Sequence, residues 1–162
     1  RPEHMMIISP KGTVPVLLLP NGEVIEESLE IMQHVLSWKS STEELYWVDR
    51  NDNEFKFHLD RYKYPNRYEN IDSLEQRSMA KIYLDDLDEY LSNEISSSLN
   101  DALFPFVRQF ANHDRDWFDA QNWDNLHDWL ADNLSSDEFT LCMKKYSQWH
   151  EGDDLVIFPP TE

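Results

Sequence analysis

Glu27 and Ser28 stand side by side where a helical pattern of apolar residues begins, and a Val14-Pro15 dipeptide lies a short way upstream. Free backbone N–H groups at a helix start, together with the helix dipole, favour a bound carboxylate, which places Ser28 at an anion site. Glu27 would pair with an ammonium group. An α-amino-acid head group carries both charges, so the pair suits such a ligand. A cis Val14-Pro15 bond would turn the backbone of Val14 away from regular strand pairing, free to hydrogen-bond an extended peptide-like ligand as an added strand. The same residues also fit a plainer role, with Ser28 as a helix cap and Glu27 as a solvated acid.

Other reactive side chains offer less. The one cysteine, Cys142, lies between Leu141 and Met143 in a helical stretch, on no glycine turn or helix start that would activate its thiol. His113, Asp114 and Asp116 are dense, but they cover only part of one helical turn and have no second cluster to complete a metal site. Tyr62, Tyr64 and Tyr68 have a spacing that suits either a substrate pocket or a core. Arg108, flanked by apolar residues in "FVRQF", is expected to make a partly buried ion pair.

These residues need positioning elements. Thr13 to Leu19 is a short apolar run of strand composition. Asn21-Gly22 predicts a two-residue hairpin turn, and Val24-Ile25 a returning strand. A helix is expected from Ser28 to about Trp38, with Leu29, Met32, Val35 and Leu36 on one face. Residues 41–53 are polar and read as a linker. Beyond them only helices are expected. The first is marked by Phe55, Leu59 and Tyr62, and a longer one runs from Ala80 to Leu91. A third spans about Leu99 to Ala111, bent at Pro105. Leu126 to Leu134 mark a fourth, and Phe139 to Tyr146 a fifth. "SLND" at 98–101 reads as a capping box in which Ser98 caps the N–H of Asp101.

Composition bounds the function. The 162 residues suit one sizeable core or two small domains that share one. With 32 acidic against 14 basic residues, the net charge of −18 disfavours nucleic acid and anionic membranes. A single cysteine excludes an intramolecular disulfide and agrees with a reducing, cytoplasmic setting. No apolar run approaches the roughly 20 residues of a membrane-spanning helix.

"KGTVPVLLLPNGEVIEESLEIM", residues 11–32, resembles the second half of the thioredoxin-like domain of glutathione S-transferases. "RPEHMMIISPKGTVPVL" is similar to the cysteine-type, omega-like branch of that family, and "SLND" with "ALFPFVRQFA" resembles the sixth helix of its all-α domain. The resemblance implies a two-part α/β plus all-α fold. Residues 1–40 would be a partial thioredoxin-like domain, a β-hairpin and helix, and 54–162 an all-helical C-terminal domain. It implies a cis Val14-Pro15 bond and a glutathione site of Arg1, Val14, Glu27 and Ser28. Glutathione is then the co-substrate, with a small electrophile or disulfide as its partner, no metal, and room for a homodimer. The family's first strand–helix–strand unit, roughly 30 residues or more, carries its catalytic residue. Nothing in these residues resembles it, so no catalytic residue is expected in this chain. The expectation is a cytoplasmic, thiol-dependent transferase or oxidoreductase whose catalytic segment is not represented here. The alternative is a non-catalytic binding or dimerisation module of the same fold.

Overall fold

Leucines and aromatics recurring at helical spacing through the last two-thirds of the chain build a helical body, and the glycine-bearing start builds a hairpin. A computed structural model describes residues 3–148 and 150–158. A short helix α1 (Glu3–Ile8) precedes strands β1 (Leu17–Leu18) and β2 (Val24–Ile25), which pair antiparallel with Leu17 opposite Ile25 and Leu18 opposite Val24. Helix α2 (Ser28–Leu36) follows. The body comprises α3 (Thr42–Arg50), a π-helical turn (Asn51–Phe55), α4 (Lys56–Lys63), a 3-10 turn (Pro65–Arg67), α5 (Ser73–Tyr90), α6 (Ser97–Ala111), α7 (Arg115–Asp119), α8 (Asp124–Ser135) and α9 (Asp137–Cys142). Among the described residues no strand lies beyond residue 25.

The hairpin turn differs from the expected one. Leu19 N–H donates to Glu23 C=O and Gly22 N–H to Leu19 C=O, so the loop has Pro20, Asn21 and Gly22 at its tip. Only Gly22 has positive φ, at 87°. This is the three-residue hairpin that ends on a left-handed glycine. Pro20 explains it: a two-residue Asn21-Gly22 turn would pair residue 20 with Glu23, and proline has no N–H to donate there, whereas its φ near −65° suits the first loop position.

Within the expected linker, residues 42–53 are helical. Ser41 accepts from Glu44 N–H while the Glu44 carboxylate accepts from Ser41 N–H, a capping box that starts α3. Trp47 and Val48 carry the segment into the core. The expected cap at Ser98 also moves: Ser96 accepts from Leu99 N–H, and Ser98 lies inside α6. Leu99 and Leu103, one turn apart in α6, are both fully buried. The last helix stops at Cys142 rather than Tyr146, and α7 has too few residues to show a periodicity.

The core belongs to the helical body. Phe55 stacks on Tyr83 at 4.7 Å, and Phe110 packs against Phe55, Tyr62, Trp117 and Phe118. Leu84, Leu87, Leu126 and Leu130 close it from α5 and α8, each contributing about 1.5–3 kcal/mol by burial. Asp88 of α5 accepts from Leu126 N–H and so satisfies the start of α8. From the hairpin unit, Leu29 and Trp38 reach this core, whereas Val35 and Leu36, expected on the packed face, are exposed.

Candidate glutathione site

The Val14-Pro15 peptide bond is cis, as the resemblance implied. Val14, Glu27 and Ser28 come together at one cavity of about 520 Å³, lined also by Lys56 of α4 and by Asp101, Ala102, Pro105 and Phe106 of α6. Thr13, Pro15, Glu26 and Met32 complete it. Three of the four expected site residues are thus neighbours. Arg1 lies outside the described residues.

Glu27, not Ser28, is the N-cap of α2, with extended backbone at φ −100° and ψ 134°, and no side chain caps this end. Ser28 is therefore the first helical residue, and the opening N–H groups of α2 keep their capacity for an anion. Ile31 N–H donates to Glu27 C=O, which begins the helical ladder.

The electrostatics favour an ammonium beside them. Glu26, Glu27 and Asp101 face the cavity against one cation, Lys56. Lys56 is already held by Asp52 at 3.2 Å and lies 4.5 Å over the Phe106 ring. Buried Ser9 donates its hydroxyl to Glu26, which holds that carboxyl below its ordinary value, with help from Lys11. Lys11 sits 3.3 Å from Glu26 and 3.7 Å from Glu27, and its own pKa is raised by Glu26 first and then Glu27.

Behind Ser28 lies a second, much smaller void. It measures about 20 Å³, the size of one water, and is lined by Ser28, Leu29, Met32, Val48 and Asn51 among others. Asn51 is 1% exposed, opens the π-helical turn, and leaves its Oδ1 without a partner. Helical-domain residues of this kind could not be read from the sequence. The one local hint was Pro105 inside a helix, which cannot donate to the carbonyl of Asp101 one turn earlier.

The remaining candidates have other occupations. Asp114 accepts from Trp117 N–H at the start of α7 and pairs with Arg77 at 3.1 Å. His113 packs edge-on against Tyr62, which is buried in the core. Arg108 makes no ion pair among the described residues, contrary to expectation. It lies 5.0 Å over the Phe139 ring. Cys142 is exposed at the end of α9.

A hairpin and a helix set on an all-helical body match the partial thioredoxin-like domain and all-helical domain that the resemblance implied. Residues 1–38 match the family described as the glutathione S-transferase N-terminal domain. Among solved structures, a glutathione S-transferase from Actinobacillus pleuropneumoniae superposes with a TM-score of 0.66 at 16% identity, over 86% of this chain and 71% of that one. Another, from Pseudomonas fluorescens, gives 0.63 at 18% identity, over 85% and 77%. A sequence comparison with curated proteins finds no match. Residues 1–38 are thus similar to the glutathione S-transferase N-terminal domain, and the chain as a whole shares the fold of these glutathione S-transferase structures. No helix among the described residues is long and apolar enough to cross a membrane.

Proposed function

We propose that this chain binds glutathione in the cavity between the hairpin unit and α4–α6, as part of a thiol-dependent glutathione transferase or oxidoreductase. The observation that carries this reading is the convergence of Val14, Glu27 and Ser28 on one cavity of about 520 Å³. Glu27 takes the γ-glutamyl ammonium and the start of α2 takes its carboxylate. The backbone of Val14 pairs with the cysteinyl unit as an added strand. Arg1 has the family's place for the glycyl carboxylate. The second substrate is a small electrophile or disulfide, admitted along α4 and α6. The omega-like assignment and a homodimeric state belong to this same proposal.

A second reading, a binding module without turnover, is favoured by one observation. No thiol lines the cavity, and the one cysteine sits on α9. Calorimetric titration with glutathione tests binding, which Glu27→Ala should weaken about tenfold or more, a charged hydrogen bond being worth about 1.5–3 kcal/mol. Turnover of a glutathione mixed disulfide, measured on these 162 residues and on a chain extended by the coding frame upstream of Arg1, separates the two readings. Activity in the extended chain alone supports the enzyme, and activity in neither supports the module.

A further inference from the structure

α4 and α6 run side by side. Lys56 lies over Phe106 at one end, and Tyr62 meets Phe110 and His113 at the other. The proposed glutathione cavity occupies the first end. At the second is another cavity, of about 300 Å³, lined by Lys63, Pro105, Arg108, Gln109, Asn112 and His113. Pro105 borders both. Lys56 and Lys63 stand about 10 Å apart along the helix axis, so the two compartments adjoin.

Their charges differ. The chain has 32 Asp and Glu against 14 Lys and Arg, yet no carboxylate lines the second compartment. Some cations elsewhere are neutralised: Arg50, Arg77 and Arg115 each hold a carboxylate at 2.8–3.1 Å, while Lys39, Arg61, Lys144 and Lys145 hold none among the described residues. Lys63 and Arg108 hold none among the described residues. Arg108 rests its guanidinium on Phe139, and its Nε is buried with no hydrogen-bond partner. Lys63 reaches only the Tyr64 ring, at 5.2 Å. A guanidinium N–H withdrawn from water without a partner is costly, and an aromatic face offsets only part of that cost. Gln109 and Asn112 add carboxamide donors at the same wall. The donors are present and the acceptor is missing.

We infer that this compartment binds the carboxylate of a small organic anion, with Arg108 and Lys63 as its charge partners. The guanidinium fork matches the two oxygens of one carboxylate, and 300 Å³ falls at the lower end of the range for small-molecule sites. With Pro105 shared, the body of the anion extends toward the neighbouring cavity. There it is the acidic co-substrate of glutathione, a role that rests on the function proposed above, whereas the anion site itself does not.

The test titrates the ¹⁵N-labelled 162-residue chain with benzoate, its neutral isostere benzamide, and inorganic phosphate. The signals read are the Arg108 Nε–H and the side-chain amides of Gln109 and Asn112. Benzoate should give saturating shifts at these groups, with benzamide and phosphate each at least tenfold weaker. Arg108→Gln should abolish the benzoate response and Lys63→Gln should weaken it about tenfold. Lys63 ends α4 at the surface, so its variant decides the matter should Arg108→Gln fail to fold. An equal response to benzamide or phosphate, no response, or an undiminished response in Lys63→Gln would overturn the site. A separate glutathione titration is read at the amides of Val14 and Ser28. Silence there with benzoate still saturating defeats the glutathione reading alone, and the reverse pattern defeats the anion site alone.

Discussion

Lys11 places its ammonium 3.7 Å from the Glu27 carboxylate and 3.3 Å from that of Glu26. The acid proposed to receive a ligand's ammonium therefore already faces one, and the two cations compete. Both side chains of the Lys11–Glu27 pair are more than half exposed, so the pair is weak and screened by solvent. Lys11→Gln should accordingly tighten glutathione modestly, by no more than a few-fold. It should leave N-acetylglutathione, which lacks the ammonium, unchanged. Calorimetry with both ligands checks this, and equal weakening of both would assign Lys11 to the ligand's carboxylates instead.

Ser9 and Glu26 tie the segment before the hairpin to the segment after it. The Ser9 hydroxyl, first among the causes, lowers the Glu26 pKa from its ordinary 4.5. A carboxyl lowered on folding contributes stability above its ordinary value and loses that contribution as pH falls through the folded value. The hairpin should therefore loosen below about pH 4.5. Ser9→Ala should bring the Glu26 titration back toward normal, as followed by carboxyl ¹³C shifts. An unchanged Glu26 titration in Ser9→Ala would remove Ser9 as the cause.

Glu44 joins three elements. It closes the capping box of α3, accepts the Ser96 hydroxyl at the start of α6, and takes the Trp38 indole N–H at 3.4 Å. Ser96→Ala removes both a helix cap and a hydrogen bond to a carboxylate, so it should cost about 1–2 kcal/mol in urea unfolding. Ser98→Ala, one residue into the helix, should stay within about 0.5 kcal/mol. Glu44 also has a lowered pKa, with Ser96 the largest cause. The Ser96→Ala deficit should therefore shrink as pH falls below the ordinary carboxyl value.

Tyr83 is fully buried, and its hydroxyl has no hydrogen-bond partner. Burial raises its pKa strongly, so the phenol stays neutral at every working pH. Removing an unpaired buried hydroxyl relieves a desolvation cost while the ring keeps its stack on Phe55. Tyr83→Phe should thus leave stability unchanged or raise it by up to about 1 kcal/mol. Tyr83→Ala should lose about 3–5 kcal/mol by opening a cavity. Denaturant midpoints of the two variants decide between these outcomes, and a clear loss in Tyr83→Phe would mean that the hydroxyl is satisfied in solution.

Local chemistry was legible from sequence because it is set by near neighbours. The return at Val24, the helix from Ser28 and the leucine faces of α5 and α8 all follow from residue type and spacing within a few positions, whereas the strand expected over Thr13 to Leu19 is confined to Leu17–Leu18. The same locality misled at the margins. Asn21-Gly22 suggested a two-residue turn until Pro20 was counted. "SLND" suggested Ser98 as the cap, whereas Ser96 two residues earlier caps α6. Residues 41–53 read as polar linker because Trp47 and Val48 are outnumbered there, and helix formation depends on the core those two reach. What tertiary structure alone decided was the meeting of distant elements. It set Lys56, Asp101 and Phe106 opposite Glu27 and Ser28, and it left Arg108 over Phe139 with no acid beside it. Contacts between residues tens of positions apart are fixed by how helices pack around Phe55, Tyr83 and Phe110, and that packing leaves no periodic trace in the sequence near either partner.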